Sequence, residues 1–150
     1  MEPTVTIEKV AIRFGALTFI GLTVYFLLMK LLNLFQIVEL RYLNFFIMVT
    51  GIVMALRYYK KHSPSHLAYL EGLGLGTLTA GVASVPFAIF IFFYLQTDAE
   101  FMALINQKED FGKYLNPYII GFLIAFEGIC SGVMISFGLM QYMKKEHIGV

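Results

Sequence analysis

The stretch that decides the fold is residues 116–145, NPYIIGFLIAFEGICSGVMISFGLMQYMKK. Its apolar run, residues 117–143, is longer than the roughly 20 residues that a helix needs to cross a hydrocarbon core about 30 Å thick. Asn116 is a favourable helix cap and Pro117 suits the first helical position, so this pair predicts where the helix begins. Glu127 lies about ten residues, roughly 15 Å, further along. A carboxylate at that depth is costly unless it has a partner, so this helix is also the first place to look for function.

Three more apolar runs precede this one, at about residues 12–34, 40–57 and 72–95. The chain is 59% hydrophobic and 14% charged, whereas soluble domains are about 45–50% apolar and about 25% charged. Backbone groups inside a bilayer find no water, so each run has to form a helix. The sequence therefore predicts an all-α integral membrane protein, a single domain over residues 1–150 with four transmembrane helices.

The joints between the runs carry helix-start signals. Thr97 and Glu100 have the spacing of a capping box. The apolar positions that follow them predict a short amphipathic helix on the membrane surface in the third joint. Ser63 and Pro64 predict the cap and the first residue of the third long helix.

The distribution of Lys and Arg predicts the orientation. Four spans put the two termini and the second joint on one side, which carries seven basic residues: Lys9, Arg13, Arg57, Lys60, Lys61, Lys144 and Lys145. The other side carries four: Lys30, Arg41, Lys108 and Lys113. The excess favours both termini in the cytoplasm. Lys30 is expected to reach the outer surface, close to Glu39.

Small residues recur at helical spacing in the third and fourth runs, where they let neighbouring helices approach closely. In the third run, one face holds Gly72, Gly76, Thr79 and Ala83, and a roughly opposite face holds Gly74, Thr77, Gly81 and Ser84. In the fourth run, the small face holds Gly121, Ala125, Gly128 and Gly132. Two small faces predict that the third helix is central. Pro86 predicts a bend in it, because proline removes a backbone hydrogen bond.

Glu127 lies about 120° around the fourth helix from the glycine face. Counting from the span ends predicts a polar layer at its depth, made of Glu127, Ser131, Ser84, Thr50 and Thr23. Three interpretations remain open. The carboxyl is protonated and donates to a neighbouring helix, or it forms a proton or cation site, or it makes a polar contact with a partner subunit.

Other charged and metal-binding residue types give weaker indications. Four charged residues lie near the inner membrane boundary, where an interfacial salt bridge is the expected arrangement: Glu71, Arg57, Lys60 and Lys61. His62 and His66 are four residues apart, but zinc needs three or four protein ligands, so no metal site is predicted.

No pattern typical of catalysis or of nucleic-acid binding is present. The net charge is +1, which argues against a nucleic-acid partner. Cys130 is the one cysteine and forms no internal disulfide. There is no phosphate-binding loop, and an isolated Glu127 cannot carry a reaction without an oriented second group. We therefore expect neither an enzyme nor a cofactor.

Three motifs carry a resemblance to a known family: YYKK at residues 58–61, HLAYLEGLGLGTL at residues 66–78, and a glycine-rich last span that ends in QYMKK at residues 141–145. Over nearly its whole length the chain resembles small inner-membrane proteins of Bacteroidota that are grouped as domain of unknown function four-one-nine-nine. The resemblance implies a bacterial inner-membrane location and a four-helix fold, and it implies no activity.

These observations favour a non-enzymatic membrane protein that acts in the lipid bilayer through helix association, as a self-oligomer or as an accessory subunit of a membrane complex. The alternative is a small transporter or channel that uses Glu127. Association predicts that Glu127 lies at a helix contact, whereas transport predicts a water-filled cavity beside it.

Overall fold

The computed structural model describes residues 5–34, 42–63, 68–108 and 110–148, with side chains as far as residue 143. These ranges contain five α-helices: α1 (Ile7–Leu31), α2 (Tyr42–His62), α3 (Tyr69–Thr97), α4 (Ala99–Lys108) and α5 (Pro117–Ile148). A short 3-10 turn, Gly112–Tyr114, lies between α4 and α5. α1, α2, α3 and the Pro117–Met143 part of α5 are long and apolar enough to cross a membrane. The prediction of an all-α, four-span membrane protein with a short helix in the third joint is confirmed.

The helix starts agree with the sequence at α5 and differ at α3. The side chain of Asn116 accepts a hydrogen bond from the Ile119 amide at 2.8 Å, and α5 begins at Pro117. α3 begins at Tyr69, with Ala68 as its N-cap. Ser63 instead extends the hydrogen bonding of α2, because its amide donates to the Tyr59 carbonyl at 2.8 Å. Pro64 lies outside the described residues.

α3 is the central helix of the bundle. It contacts α1, α2 and α5, and α2 lies mainly against α1 and α3. Its small residues explain the extensive contact with α5. The pairs meet in antiparallel order at every fourth residue: Gly72 with Met140, Gly76 with Ser136, Ala80 with Gly132, and Ser84 with Gly128. A Cβ on any of these four glycines would overlap the side chain opposite, so the close approach of the two helices depends on them.

Other predicted packing residues differ in their surroundings. Ala83 is fully buried, Ala125 is half-buried, and a Cβ on Gly121 would make an ordinary contact with the Ala88 carbonyl oxygen at 3.5 Å. The prediction that Gly74 and Gly81 belong to a second packing face of α3 is wrong. A Cβ on either would have no neighbouring atom within 4 Å, because this side of α3 is not covered by another helix.

α1 reaches α3 and α2 through two further glycines. A Cβ on Gly15 would meet the Val82 side chain on α3 at 2.6 Å, and a Cβ on Gly51 of α2 would overlap the Thr18 hydroxyl on α1. Since Gly51 is opposite Thr18, these small residues hold α1 and α2 close together on one side of their contact.

The helix α3 continues through Pro86.

Candidate functional site

α5 packs against the rest of the protein along one side only. In its apolar stretch 11% of the residues are buried, compared with 44% in α3. The large side chains on its outer surface include Phe122, Phe126, Met134 and Phe137, and Met134 is 75% exposed. Most of the circumference of α5 is therefore left to lipid or to a partner.

Glu127 is part of this uncovered surface. Its side chain is exposed, although its backbone lies roughly 15 Å inside the span. Within the described part of the chain, no hydrogen bond or ion pair reaches Glu127. Gly128, the next residue, is pressed against Ser84 of α3, so the helix contact ends just beside the carboxylate.

The hydroxyl groups of the predicted polar layer bond to their own helices instead of meeting Glu127. Ser84 is buried and donates to the Ala80 carbonyl at 2.7 Å. Thr50 is exposed on α2 and donates to the Phe46 carbonyl at 2.8 Å. Both bonds are the usual intrahelical solution for a hydroxyl in an apolar environment.

The other two hydroxyls of the layer have different surroundings. Thr23 Oγ1 is buried and has no hydrogen-bond partner among the described residues. Ser131, one turn beyond Glu127 on the same side of α5, is half-buried. Of the four hydroxyl residues in the predicted layer, only Ser131 shares the helix and the side of the carboxylate.

Glu127 belongs to a stripe whose members alternate in spacing between three and four residues: Ile120, Ile124, Glu127, Ser131, Met134, Gly138 and Gln141. The two isoleucines also pack against the core of the chain itself, so the part of the stripe that a partner could cover begins at Glu127. This 3.5-residue period is the one that keeps a seam facing a second, supercoiled helix. Gly138 is exposed, and a Cβ there would have no neighbour within 4 Å. Gly138 was not among the predicted packing residues, although its spacing of 11 from Glu127 could have placed it in this stripe.

An open groove runs between α1 and α2, on a different side of the bundle. Its volume is about 310 Å³, and its walls include Phe14, Leu17, Phe46, Thr50, Gly51 and Met54. The walls are almost entirely apolar, since the hydroxyls of Thr50 and Thr18 donate to the carbonyls of Phe46 and Phe14 on their own helices. Glu127 does not line this groove.

The charged residues for which an interfacial salt bridge is predicted lie where α2 ends and α3 begins. Glu71 accepts a hydrogen bond from the Ala68 amide at 3.2 Å and so caps the start of α3. Arg57, Lys60 and Lys61 are exposed at the end of α2. The structure gives Glu71 a capping role, and the interfacial salt bridge stays a prediction.

The last turn of α1, the end of α3 and the start of α4 are joined around Asp98. The Lys30 ammonium forms an ion pair with the Asp98 carboxylate and lies 4.4 Å from the centre of the Tyr94 ring. Asp98 also accepts a hydrogen bond from the Phe101 amide at 3.1 Å. The Lys30 bond, followed by the Phe101 bond, holds the pKa of the Asp98 carboxyl below its ordinary value. Glu39, the expected neighbour of Lys30, lies outside the described residues.

The Asp98 contact corrects the predicted start of α4. Thr97 is the last residue of α3, and its hydroxyl donates back to the Phe93 carbonyl at 3.0 Å. Asp98 supplies the side-chain oxygen that caps α4. Thr97 and Asp98 are both favourable caps, and the capping-box spacing to Glu100 favoured the wrong one.

Potential metal ligands do not gather in the described residues, where no group of three His, Cys, Asp or Glu side chains is close enough to hold an ion. The nitrogen Nδ1 of His62 lies 3.0 Å from the Tyr58 carbonyl, and the His62 ring stacks on the Tyr58 ring. His66 lies outside the described residues.

No protein-family model, curated protein or solved structure matches the chain. The resemblance to the Bacteroidota inner-membrane family stays a prediction. What the fold defines is the class: an all-α membrane protein with four spanning helices.

Proposed function

We propose that this protein acts without enzymatic chemistry, by association with another transmembrane helix along the Glu127 stripe of α5. In this proposal it is a self-oligomer or an accessory subunit of a membrane complex. The bacterial inner membrane and cytoplasmic termini belong to the same proposal. They are supported by the excess of basic residues on one side and by the resemblance to the Bacteroidota proteins.

The observation that carries the proposal is the exposure of Glu127 in the middle of an apolar helix. An acidic side chain at the centre of a spanning helix costs roughly 3 kcal/mol when it faces lipid. A polar partner across a helix contact recovers part of that cost. Gly138 and Ser131, which lie on the same stripe, would let a second backbone approach closely.

Two features favour association over transport. The hydroxyls of Ser84 and Thr50 bond within their own helices, so they do not form a polar path around Glu127. The groove between α1 and α2 is lined by apolar groups and excludes Glu127. A transport site would need several polar groups converging on the carboxylate.

Native mass spectrometry of the protein extracted gently from its own membranes tests the proposal. The wild type is expected to carry a second copy or a reproducible foreign subunit. Glu127→Leu is expected to weaken this assembly roughly three- to thirtyfold, the range for one polar contact between membrane helices. Glu127→Gln is expected to weaken it less, because an amide still hydrogen-bonds across the contact.

Ile129→Leu is the matched control, because Ile129 is exposed on the same helix but lies outside the stripe. It should leave the assembly unchanged. A second readout is disulfide cross-linking between copies in native membranes. Met134→Cys in a Cys130→Ser background places the one thiol on the Glu127 stripe, and a self-oligomer is expected to give a cross-linked dimer. If the wild type and every variant are monomers in native membranes, the association proposal is wrong.

A further inference from the structure

The groove between α1 and α2 has the dimensions of a hydrocarbon chain. Its volume is about 310 Å³. On α2 its lining extends from Leu43 to Met54, which is about 16 Å at 1.5 Å per residue. That length is about half of a 30 Å hydrocarbon core, the depth of one leaflet.

The groove is open toward the lipid, and its surface is suited to a chain without polar groups. Leu17 and Phe46, on opposite walls, are 54% and 65% exposed. Thr18 and Thr50 turn their hydroxyls to carbonyls of their own helices at 2.8 Å. The closeness of Gly51 to Thr18 sets the floor of the groove. The groove therefore offers methyl, methylene and ring surface to its occupant.

The inner end of the groove carries positive charge. Arg13 is next to Phe14, a groove residue, and its guanidinium lies 5.6 Å from the centre of the Tyr58 ring. The Tyr58 ring in turn lies 5.4 Å from the Phe14 ring. Arg57 follows Met54, the last lining residue of α2, by less than one helical turn.

Arg13 and Arg57 have no carboxylate partner within the residues that the structure describes. Both side chains are exposed. A guanidinium presents a planar fork of donors that matches phosphate oxygens, and it binds them more specifically than an ammonium does. An apolar channel with two such groups at one end is complementary to an amphiphile that carries a phosphate.

We propose that this groove binds an anionic glycerophospholipid, with one acyl chain between α1 and α2 and the headgroup phosphate at Arg13 and Arg57. The site is separate from the Glu127 stripe of α5, so it does not depend on the proposed association. It selects the lipid by charge at its inner end and holds it by contact along the groove.

The test is native mass spectrometry of the full chain in mild detergent, titrated with phosphatidylglycerol or with phosphatidylcholine of the same acyl chains. The wild type is expected to retain one phosphatidylglycerol in preference to phosphatidylcholine. Arg13→Gln and Arg57→Gln should each reduce the retained phosphatidylglycerol roughly fivefold and together remove the preference, since one basic group near a membrane surface contributes about that factor. Lys108→Gln, an exposed cation at the other end of the bundle, should have no effect.

A groove-filling variant separates the acyl chain from the headgroup. Thr50→Leu adds apolar volume to the groove wall and should reduce retention of both lipids. Thr77→Leu is its matched control, because Thr77 also donates to the carbonyl four residues earlier but lies on α3, outside the groove. Circular dichroism confirms that the variants keep their helix content.

Equal retention of both lipids by the wild type, or unchanged phosphatidylglycerol binding in the double arginine variant, overturns the proposal. So does a Thr50→Leu variant that alters dimerisation and leaves lipid retention unchanged, because the groove would then be a helix contact.

Discussion

Gly132 is the residue whose substitution tests the α3–α5 contact most directly. A Cβ at this position would overlap the Cβ of Ala80, whereas the next atoms are the Ala80 Cα at 3.6 Å and the Gly76 carbonyl oxygen at 3.8 Å. Gly132→Ala is therefore expected to destabilise the fold by about 1–3 kcal/mol, the usual cost of overpacking. Unfolding in mixed micelles with increasing dodecyl sulfate, followed by circular dichroism, measures the change.

The same contact offers a compensating change. Ala80→Gly removes the overlapping atom, so the Ala80→Gly, Gly132→Ala double variant should regain most of the lost stability. Gly81→Ala is the control, because its new Cβ would have no neighbour within 4 Å. It is expected to be neutral or slightly stabilising, since alanine has the higher helix propensity. If Gly132→Ala alone unfolds like the wild type, α5 does not pack on α3 in this register.

At the scale of the elements, α4 depends on Asp98. The carboxylate form of Asp98 accepts hydrogen bonds from the Phe101 amide in the first turn of α4 and from the Lys30 ammonium of α1. Its pKa is lowered by these bonds, so their contribution is complete above the ordinary carboxyl pKa and is lost as the pH falls through the lowered pKa. We expect a spin label at Leu104→Cys, in a Cys130→Ser background, to remain immobile at neutral pH and to become mobile only in strong acid.

Two substitutions at Asp98 separate the cap from the ion pair. Asparagine at this position keeps an oxygen for the Phe101 amide but has no charge to pair with Lys30. Alanine has neither the capping oxygen nor the charge. Asp98→Asn should therefore give intermediate label mobility with the acid transition absent, and Asp98→Ala should give the highest mobility at every pH. A label equally immobile in Asp98→Ala and in the wild type would show that α4 is held by its apolar contacts alone.

The elements also show how far local sequence signals reach. Asn116 and Pro117 locate the start of α5 correctly because a cap and a proline act within one turn of chain. Thr97 and Asp98 are adjacent and both able to cap, although aspartate is the more favourable cap. Asp98 also pairs with Lys30, which is distant in sequence and so gives no local signal. Gly74 and Gly81 failed as packing residues for a related reason. A small residue permits a close neighbour, but its position in the sequence does not supply one.

For the whole molecule, composition predicts that the helices lie in a bilayer, but it does not predict which side of each helix faces the lipid. Lipid and the protein core are both apolar, so hydrophobic residues occupy both surfaces of a spanning helix. Spacing alone separates Glu127 from the glycine side of α5 by about 120°. Whether another helix covers the Glu127 side of α5 depends on the positions of α2 and α3 in the bundle. In the structure no described helix covers the Glu127 side of α5. The polar layer predicted from depth alone is therefore not formed around the carboxylate.

The orientation of the whole bundle rests on the seven basic residues of one side against the four of the other. It predicts that Lys61, at the end of α2, faces the cytoplasm and that Lys108, at the end of α4, faces outward. In a Cys130→Ser background, Lys108→Cys should react with a membrane-impermeant maleimide in intact cells, whereas Lys61→Cys should react only after lysis. The wild type, whose one cysteine is Cys130, is a separate control. Cys130 is exposed on α5 within the span, where the hydrocarbon core keeps a membrane-impermeant reagent away from it, so the wild type should remain unlabelled in both conditions. The reverse labelling pattern would place the termini outside, and labelling of both engineered cysteines in intact cells would contradict a crossing between them by α3.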